Sequence, residues 1–220
     1  YQNDLGNSGL FHYSGTTFGW LPVSELQRLG SGWRLAGRNP ANYGPVGSDA
    51  VDFSYSITAG TANGALGRSS AAFGFATTAS GTHSLALGSL TQARGTSSFA
   101  AGTAVIAKAR SAVSIGENND DTDNPDPNTS QASDRLFQIG NGSYSTDLRQ
   151  NALTVLRNGQ VGFGTVAPHA SALLQLTSND KGFLPPQLTL AQRTAIAGPA
   201  PGLLLFQTDG SKGLYIFDGA

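Results

Sequence analysis

The residues best suited to chemistry are the carboxylates of the segment 117–134, where Asp120, Asp121, Asp123 and Asp126 lie close together. Clustered carboxylate oxygens are ligands that Ca²⁺ prefers, but the spacing lacks the glycine and terminal glutamate of an EF-hand loop. The segment is also rich in turn-forming residues. It predicts an exposed, solvated acidic loop with no metal site, and a Ca²⁺ site remains the alternative.

Residues for catalysis are sparse. His12, His83 and His169 share no ligand spacing and no local motif, and the absence of cysteine excludes thiol chemistry. No nucleophile elbow and no phosphate-binding loop is present. We therefore predict no catalytic residues, no cofactor and no enzyme activity. A polysaccharide depolymerase with a carboxylate cleft between chains is the remaining enzymatic alternative.

Composition excludes several partner classes. The 220 residues carry a net charge of -1, and only 12% are charged, so nothing attracts nucleic acid. No apolar run approaches the roughly 18 residues that span a bilayer, which predicts no membrane insertion in this segment. The chain does not begin with Met, and we expect it to be a piece of a longer polypeptide.

Two interlocked 14-residue periods organise the middle of the chain. The apolar residues three and one before each glycine share one strand face, and small residues occupy the other. Strands with both faces apolar or small need burial on both sides. We therefore predict stacked coils of two short strands each, in a homo-oligomer. The repeat positions are Gly60, Gly74, Gly88, Gly102 and Gly116, with Ala65, Ala79, Ala93 and Ala107 between them.

Two of these repeats, Ser84–Gly88 and Ala112–Gly116, have the sequences SLALG and AVSIG. They resemble the head repeats of trimeric autotransporter adhesins of the Yersinia adhesin type. The resemblance implies a left-handed parallel β-roll, an intertwined homotrimer and display outside the cell. It covers about residues 48 to 116.

Strand signals return after the acidic loop. Leu136–Gly142 is followed by Ala152–Leu156 and Val161–Phe163, and Asn158-Gly159 between the last two predicts a type I′ hairpin. The run from 151 to 164 resembles a module of phage-type tail fibres and of large surface proteins of Bacteroidetes-like bacteria.

The last segment resembles the same fibre proteins, beginning with Lys181–Pro186. Thr189 and Gln192 have the spacing of a capping box, which predicts a short helix within 188–197. Asp209-Gly210 then predicts a second hairpin.

The N-terminal segment is less regular. Residues 9–15 echo residues 213–219 in their Gly-Leu-aromatic pattern, and we expect a short helix near Val23 to Leu29 followed by an adaptor. The predicted modules are an N-terminal hairpin and adaptor (1–47), the β-roll (48–116), the acidic loop (117–134), a hairpin module (135–180) and a helix-plus-hairpin module (181–220).

The fold class predicted is all-β: a β-roll flanked by hairpin modules and a short helix, as a homotrimeric fibre. The predicted function is a segment of an extracellular fibre for adhesion or receptor binding, either a surface adhesin or a phage or injection-machine tail fibre. The alternative is a purely structural spacer. The expected partners are further copies of the chain, other segments of the same fibre and a cell-surface glycan or protein receptor; the sequence does not indicate which residues bind that receptor.

Overall fold

A computed structural model describes residues 11–13, 20–22 and 26–219. Helix in this part is limited to α1 (Leu190–Thr194) and the 3-10 turns Pro40–Asn42 and Tyr144–Thr146, so the all-β class is confirmed. The chain divides into two compact units, Tyr1–Thr177 and Ser178–Ala220. The finer module boundaries stay a prediction.

Twenty short strands, joined by turns and irregular segments, are present in the described residues. In chain order they are β1 Phe11–Tyr13, β2 Trp20–Pro22, β3 Leu26–Leu29, β4 Gly32–Leu35, β5 Val51–Tyr55, β6 Gly64–Ala65, β7 Ala71–Phe75, β8 Thr78–Ala79, β9 Leu85–Ser89, β10 Gln92–Ala93, β11 Phe99–Thr103, β12 Ile106–Ala107, β13 Val113–Glu117, β14 Arg135–Asn141, β15 Asn151–Leu156, β16 Val161–Phe163, β17 Leu174–Leu176, β18 Gln187–Leu188, β19 Leu204–Gln207 and β20 Gly213–Ile216.

In the first unit, two sheets are built from alternating strands. The large sheet has the order β17-β16-β15-β14-β13-β11-β9-β7-β5-β4-β3, and the small sheet has the order β12-β10-β8-β6. Every pair from β4 to β14 in the large sheet is parallel. The pair β3-β4 at one end is antiparallel, and at the other end β14-β15 and β15-β16 are antiparallel and β16-β17 is parallel. Each coil thus adds one longer strand to one sheet and one two-residue strand to the other.

The alanines of the repeat form the core between the sheets. Ala72, Ala86 and Ala100 align across the large sheet, and Ala79 aligns with Ala93 in the small one. All five are completely buried. Coils this narrow leave room for little more than a methyl group, because protein interiors are close-packed.

The repeat glycines allow successive coils to approach closely. Gly88 has φ of +119°, and a Cβ at this position would collide with the carbonyl oxygen of Gly102 in the next coil. Gly81 lacks a positive φ, yet a Cβ there would collide with the carbonyl oxygen of Gly95. Coil stacking therefore requires glycine both at the repeat positions from Gly74 to Gly116 and at a second set of positions, Gly67, Gly81 and Gly95.

The corners of the coils are held in left-handed conformations by residues other than glycine. Leu90 has φ of 58° and His83 has φ of 57°. The N–H of Leu90 donates to the carbonyl of Phe75, and that of His83 donates to Arg68, both at 2.8 Å. Each corner therefore offsets its backbone strain with a hydrogen bond to the preceding coil.

The prediction that Gly60 is the first glycine of the repeat is wrong. Val51 pairs with Ala71 and Ser54 pairs with Gly74, a register of 20 residues where later coils have 14. Gly60 lies in the resulting insertion, in open space. Phe53 stacks edge-on against Phe73 at 5.2 Å, a contact that favours this register over one that aligns Gly60 with Gly74.

The last coil also contains an insertion. Gly116 pairs with Gly140, a register of 24 residues, so β14 continues the large sheet after the acidic segment. In the small sheet the buried side chain of Asn119 takes the place of a further strand. Its Oδ1 accepts from the N–H of Ile106 at 2.7 Å, and its Nδ2 donates to the Ile106 carbonyl at 3.0 Å.

The helix expected near Val23 to Leu29 is wrong over its described residues. Leu26–Leu29 is the strand β3, which pairs with β4 in antiparallel fashion and closes the end of the large sheet. Residues 23–25 lie outside the described part. Cross-strand pairing, which a local apolar pattern does not reveal, overrides the helical spacing.

The predicted hairpins and the capped helix are confirmed. β15 pairs with β16, β19 pairs with β20, and Thr189 and Gln192 form the complete capping box of α1. The turn at Asn158-Gly159 is not type I′, because only Gly159 has positive φ. Its N–H donates to Leu156, which gives the longer turn with a left-handed glycine. The predicted echo between residues 9–15 and 213–219 lies partly outside the described residues.

Candidate functional site

An apolar face runs along the side of the large sheet opposite the alanine core. It consists of two ladders of aligned side chains, the first across ten neighbouring strands from β4 to β17 and the second across nine from β5 to β17. The first apolar ladder is Trp33, Val51, Ala71, Leu85, Phe99, Val113, Phe137, Val155, Val161 and Leu174. The second is Phe53, Phe73, Leu87, Ala101, Ile115, Ile139, Leu153, Phe163 and Leu176.

No member of either ladder is fully buried in the single chain. Leu87 is 46% exposed and Leu174 is 58% exposed. Ten strands at the usual spacing give the face a length of about 45 Å. Soluble monomers rarely expose a contiguous apolar surface of this extent, and larger patches mark sites of protein association.

A third ladder borders this face and changes character along the sheet. It begins with Tyr55 and Phe75, whose ring centroids are 6.2 Å apart, and continues through Ser89 and Thr103 to Glu117. The apolar face is therefore widest beside the first two coils.

The core between the two sheets is made of alanine in the repeats, but polar side chains are buried at each of its ends. At the β4–β5 end, Arg34 Nε donates to the buried Asp52 carboxylate at 2.7 Å. The Arg34 guanidinium also lies 4.4 Å from the ring centroid of Tyr43 and donates to the Gly44 carbonyl at 2.9 Å. The buried charges are thus paired and hydrogen-bonded, as burial in a protein interior requires.

Residues 118–134, here called the acidic strap, return along the coils and are held by basic residues. Asp120 pairs with Arg135 at 2.6 Å, and Asp123 lies 3.5 Å from Arg135 and 3.8 Å from Lys108. Arg149 lies 3.8 Å from Asp121. The exposed, solvated loop predicted from sequence is wrong at the start of the strap, where Asn118 and Asn119 are buried and these carboxylates are partly covered, but residues 126–133 are exposed as predicted.

The two best-anchored carboxylates of the strap differ in acidity. Burial favours a higher pKa for Asp120, but hydrogen bonds from Thr122 and Arg135 and the Arg135 charge outweigh burial and lower that pKa. Burial raises the pKa of Asp123 in spite of the nearby charges of Arg135 and Lys108. Asp120 is thus the stronger electrostatic anchor of the strap.

The distal part of the strap is exposed but tethered. The N–H of Thr96 donates to the Pro127 carbonyl at 2.8 Å, and its hydroxyl bonds to Asn128 Oδ1 at 2.7 Å. Within the described residues, no three acidic or histidine side chains gather as potential metal ligands. His83 and His169 are both exposed, the first at a corner and the second beside Ser171.

The second unit has an apolar face of its own. Its sheet, in the order β18-β19-β20, turns Leu205 and Tyr215 towards α1, and Arg193 of α1 stacks 4.1 Å from the Tyr215 ring centroid. The opposite side, here called the bare hairpin face, consists of the cross-strand pairs Leu204 with Ile216 and Phe206 with Leu214.

Comparison with protein families matches two parts of this architecture. Residues 65–91 and 79–104 match the YadA head domain repeat in two copies. The chain contains a trimeric adhesin head-like segment. Residues 162–220 match a phage tail like trimerisation region, which includes most of β16 and all of β17 to β20. No curated protein and no solved structure matches the chain.

These matches confirm the predicted resemblance to adhesin heads and fibre proteins. They identify the chain as an adhesin or fibre segment and support its self-association. They imply an extracellular or surface location. In the described part of the chain, no helix has the length and hydropathy needed to span a membrane.

The predicted repeat positions are brought together in the adhesin head-like segment. Ala65, Ala79, Ala93 and Ala107 form one ladder in the small sheet, and the four glycines from Gly74 to Gly116 form another in the large sheet. Sequence reasoning missed that the apolar ladders continue through β5 and β14–β17. The period-two apolar pattern of these strands was the available signal.

Proposed function

We propose that the chain is a stiff segment of an extracellular homotrimeric fibre, in which three β-rolls cover one another's apolar faces. The observation that carries this proposal is the pair of uninterrupted apolar ladders, which run from β4 and from β5 to β17. Burying surface at about 25 cal/mol per Å² makes such a face a strong driving force for association. We take the roll to be left-handed, as in the family it resembles.

A cyclic arrangement explains why the face follows the stacking direction. Three copies around an axis parallel to the ladders bury all three faces and close the assembly, so the fibre grows only along that axis. The matched trimerisation region begins at residue 162, and the ladders enter it through Phe163, Leu174 and Leu176. The same interface thus extends from the head-like coils into the trimerisation region.

Adhesion is the role that this architecture supports best. The small sheet, the coil corners and the acidic strap remain outside the proposed interface, and a trimer presents each of them three times. Three copies of a weak contact bind with much higher avidity than one. A cell-surface glycan or protein receptor is the expected partner, on either a bacterial surface or a particle tail.

A structural spacer in the same fibre is the second candidate. It is favoured by the small polar residues at exposed positions of the coils, such as Ser80, Ser97 and Ser111, which offer little surface for specific recognition. Neither role requires catalysis, and we propose that the segment is not an enzyme.

The native mass of residues 1–220 by light scattering tests the proposal. We expect a particle of three chains of 22.6 kDa each, with a β-rich circular dichroism spectrum. A folded single chain would contradict the proposed trimer. Attachment assays with the intact trimer, with substitutions in the strap and at the corners, then separate adhesion from a spacer role.

A further inference from the structure

The trimerisation region contains two apolar surfaces that the single chain leaves uncovered. One is the bare hairpin face, where Leu214 is 60% exposed and Ile216 is 66% exposed. The other is the segment 181–186, here called the arm, in which Phe183 is 62% exposed and Leu184 is 75% exposed. Four large apolar side chains exposed in so small a unit indicate a surface that is buried by association.

The arm is positioned to leave its own sheet. Pro186 accepts a hydrogen bond from the N–H of Phe206 at 2.9 Å, which anchors the arm beside the edge strand β18. Gln187 pairs with Phe206 in parallel, so Phe183 and Leu184 lie beyond the start of β19. Pro185 and Pro186 restrict the backbone to extended conformations there, so the arm does not fold into a helix or a tight turn.

The arm is apolar on more than one side. Successive side chains of an extended segment point in different directions, so Phe183 and Leu184 cannot both be buried against one flat surface. An arm of this kind is covered only when it lies between surfaces, as it would in a subunit interface. The bare hairpin face, with no charged side chain among its four members, is a surface of matching character.

We propose that the arm crosses to a neighbouring copy of the chain in the trimer, where Phe183 packs on that copy's bare hairpin face. This inference rests on the proposed homotrimer and deepens it. Each subunit then gives one arm and receives one, so three exchanges close the ring. The exchange explains why arm and face remain uncovered in the isolated chain.

The natural absence of cysteine makes the exchange directly testable by disulfide formation. The test is a double variant, Phe183→Cys with Leu214→Cys, oxidised as the intact trimer and analysed on a non-reducing gel. We expect covalent dimers and trimers from this pair. A matched control pairs Phe183→Cys with Ser211→Cys, which lies in the hairpin turn outside the face, and should remain as single chains. Phe183→Cys with Ile216→Cys, which is also on the face, provides a second pair.

Every other outcome overturns the exchange. Cross-linking of Leu214→Cys alone would show that the three hairpin faces pack on one another. A disulfide within one chain would show that the arm covers its own face. Free thiols in both pairs, at a native mass of three chains, would refute the exchange but leave the proposed trimer standing. A native mass of one chain before oxidation would refute both.

Discussion

At the scale of the residue, the coils place different constraints on glycine and non-glycine positions. Gly88 lies where the next coil leaves no room for a methyl group, whereas Leu90, two residues later, tolerates a left-handed backbone because its N–H gains a hydrogen-bond partner. The constraint on Gly88 is therefore steric and conformational together. That on Leu90 is conformational only.

The substitution Gly88→Ala should destabilise the fold by about 2 kcal/mol or more, since it adds both backbone strain and overpacking. Urea unfolding at fixed protein concentration measures the change in free energy. The matched control is Gly60→Ala, whose Cβ meets open space and which should change stability by less than about 0.5 kcal/mol. Equal effects at the two positions would contradict the stacking role of Gly88.

Asn119 shows that a single side chain can end a sheet. The substitution Asn119→Ala removes the hydrogen-bond partners of the buried N–H and carbonyl of Ile106. Each unsatisfied group should lower the free energy of unfolding by about 1–3 kcal/mol. We expect a clear fall in the unfolding free energy and faster hydrogen exchange at Ile106. Asn124→Ala, at an exposed position of the strap, is the control. Unchanged exchange at Ile106 would show that the amide does not cap the sheet.

At the scale of the element, the acidic strap joins the end of the small sheet to β14 and to the segment before β15. Lys108, Arg135 and Arg149 come from three different parts of the first unit and converge on residues 120–123. The strap therefore covers an open sheet edge of the kind that proteins protect against unwanted pairing.

The strap predicts a pH dependence with opposite signs at two carboxylates. The pKa of Asp120 is lowered in the folded state, so its stabilisation is present above the ordinary value of 3.8 and is lost as pH falls through the folded pKa. Asp120→Asn should therefore destabilise the fold at neutral pH, with a difference from the parent that disappears in acid. Unfolding midpoints measured across this range test the expectation.

Asp123→Asn is the matched comparison. The pKa of Asp123 is raised in the folded state, so its protonation favours folding as pH falls towards the unfolded pKa. Asp123→Asn should lower the free energy of unfolding little at neutral pH. In acid it should remove the stabilisation that protonation of Asp123 provides. A loss at neutral pH as large as that of Asp120→Asn would contradict the proposed difference between the two sites.

At the scale of the whole molecule, association is the consequence of a fold that is too thin to bury both faces of its large sheet. Leu87→Glu places one charge per chain within the second apolar ladder, between Phe73 and Ala101, where a trimer would desolvate it. We expect the native mass to fall to that of one chain. Ser80→Glu, at an exposed position of the small sheet's side, should leave the mass unchanged. A trimeric Leu87→Glu variant would place the interface elsewhere.

Much of this architecture was predictable from the sequence because its period is local. The 14-residue spacing of Gly74, Gly88, Gly102 and Gly116 indicates strands, close approach and alanine packing without reference to distant residues. The hairpin at Gly159 and the capping box at Thr189 are local signals for the same reason.

What the sequence determined by itself was the all-β class, the repeat and its two faces, because periodicity encodes which side chains share a surface. Only the tertiary structure decided the register of 20 residues at β5, the replacement of a strand by Asn119 and the basic anchors of the strap. Each depends on pairing between residues far apart in the chain, and the insertions that set those distances leave no periodic trace.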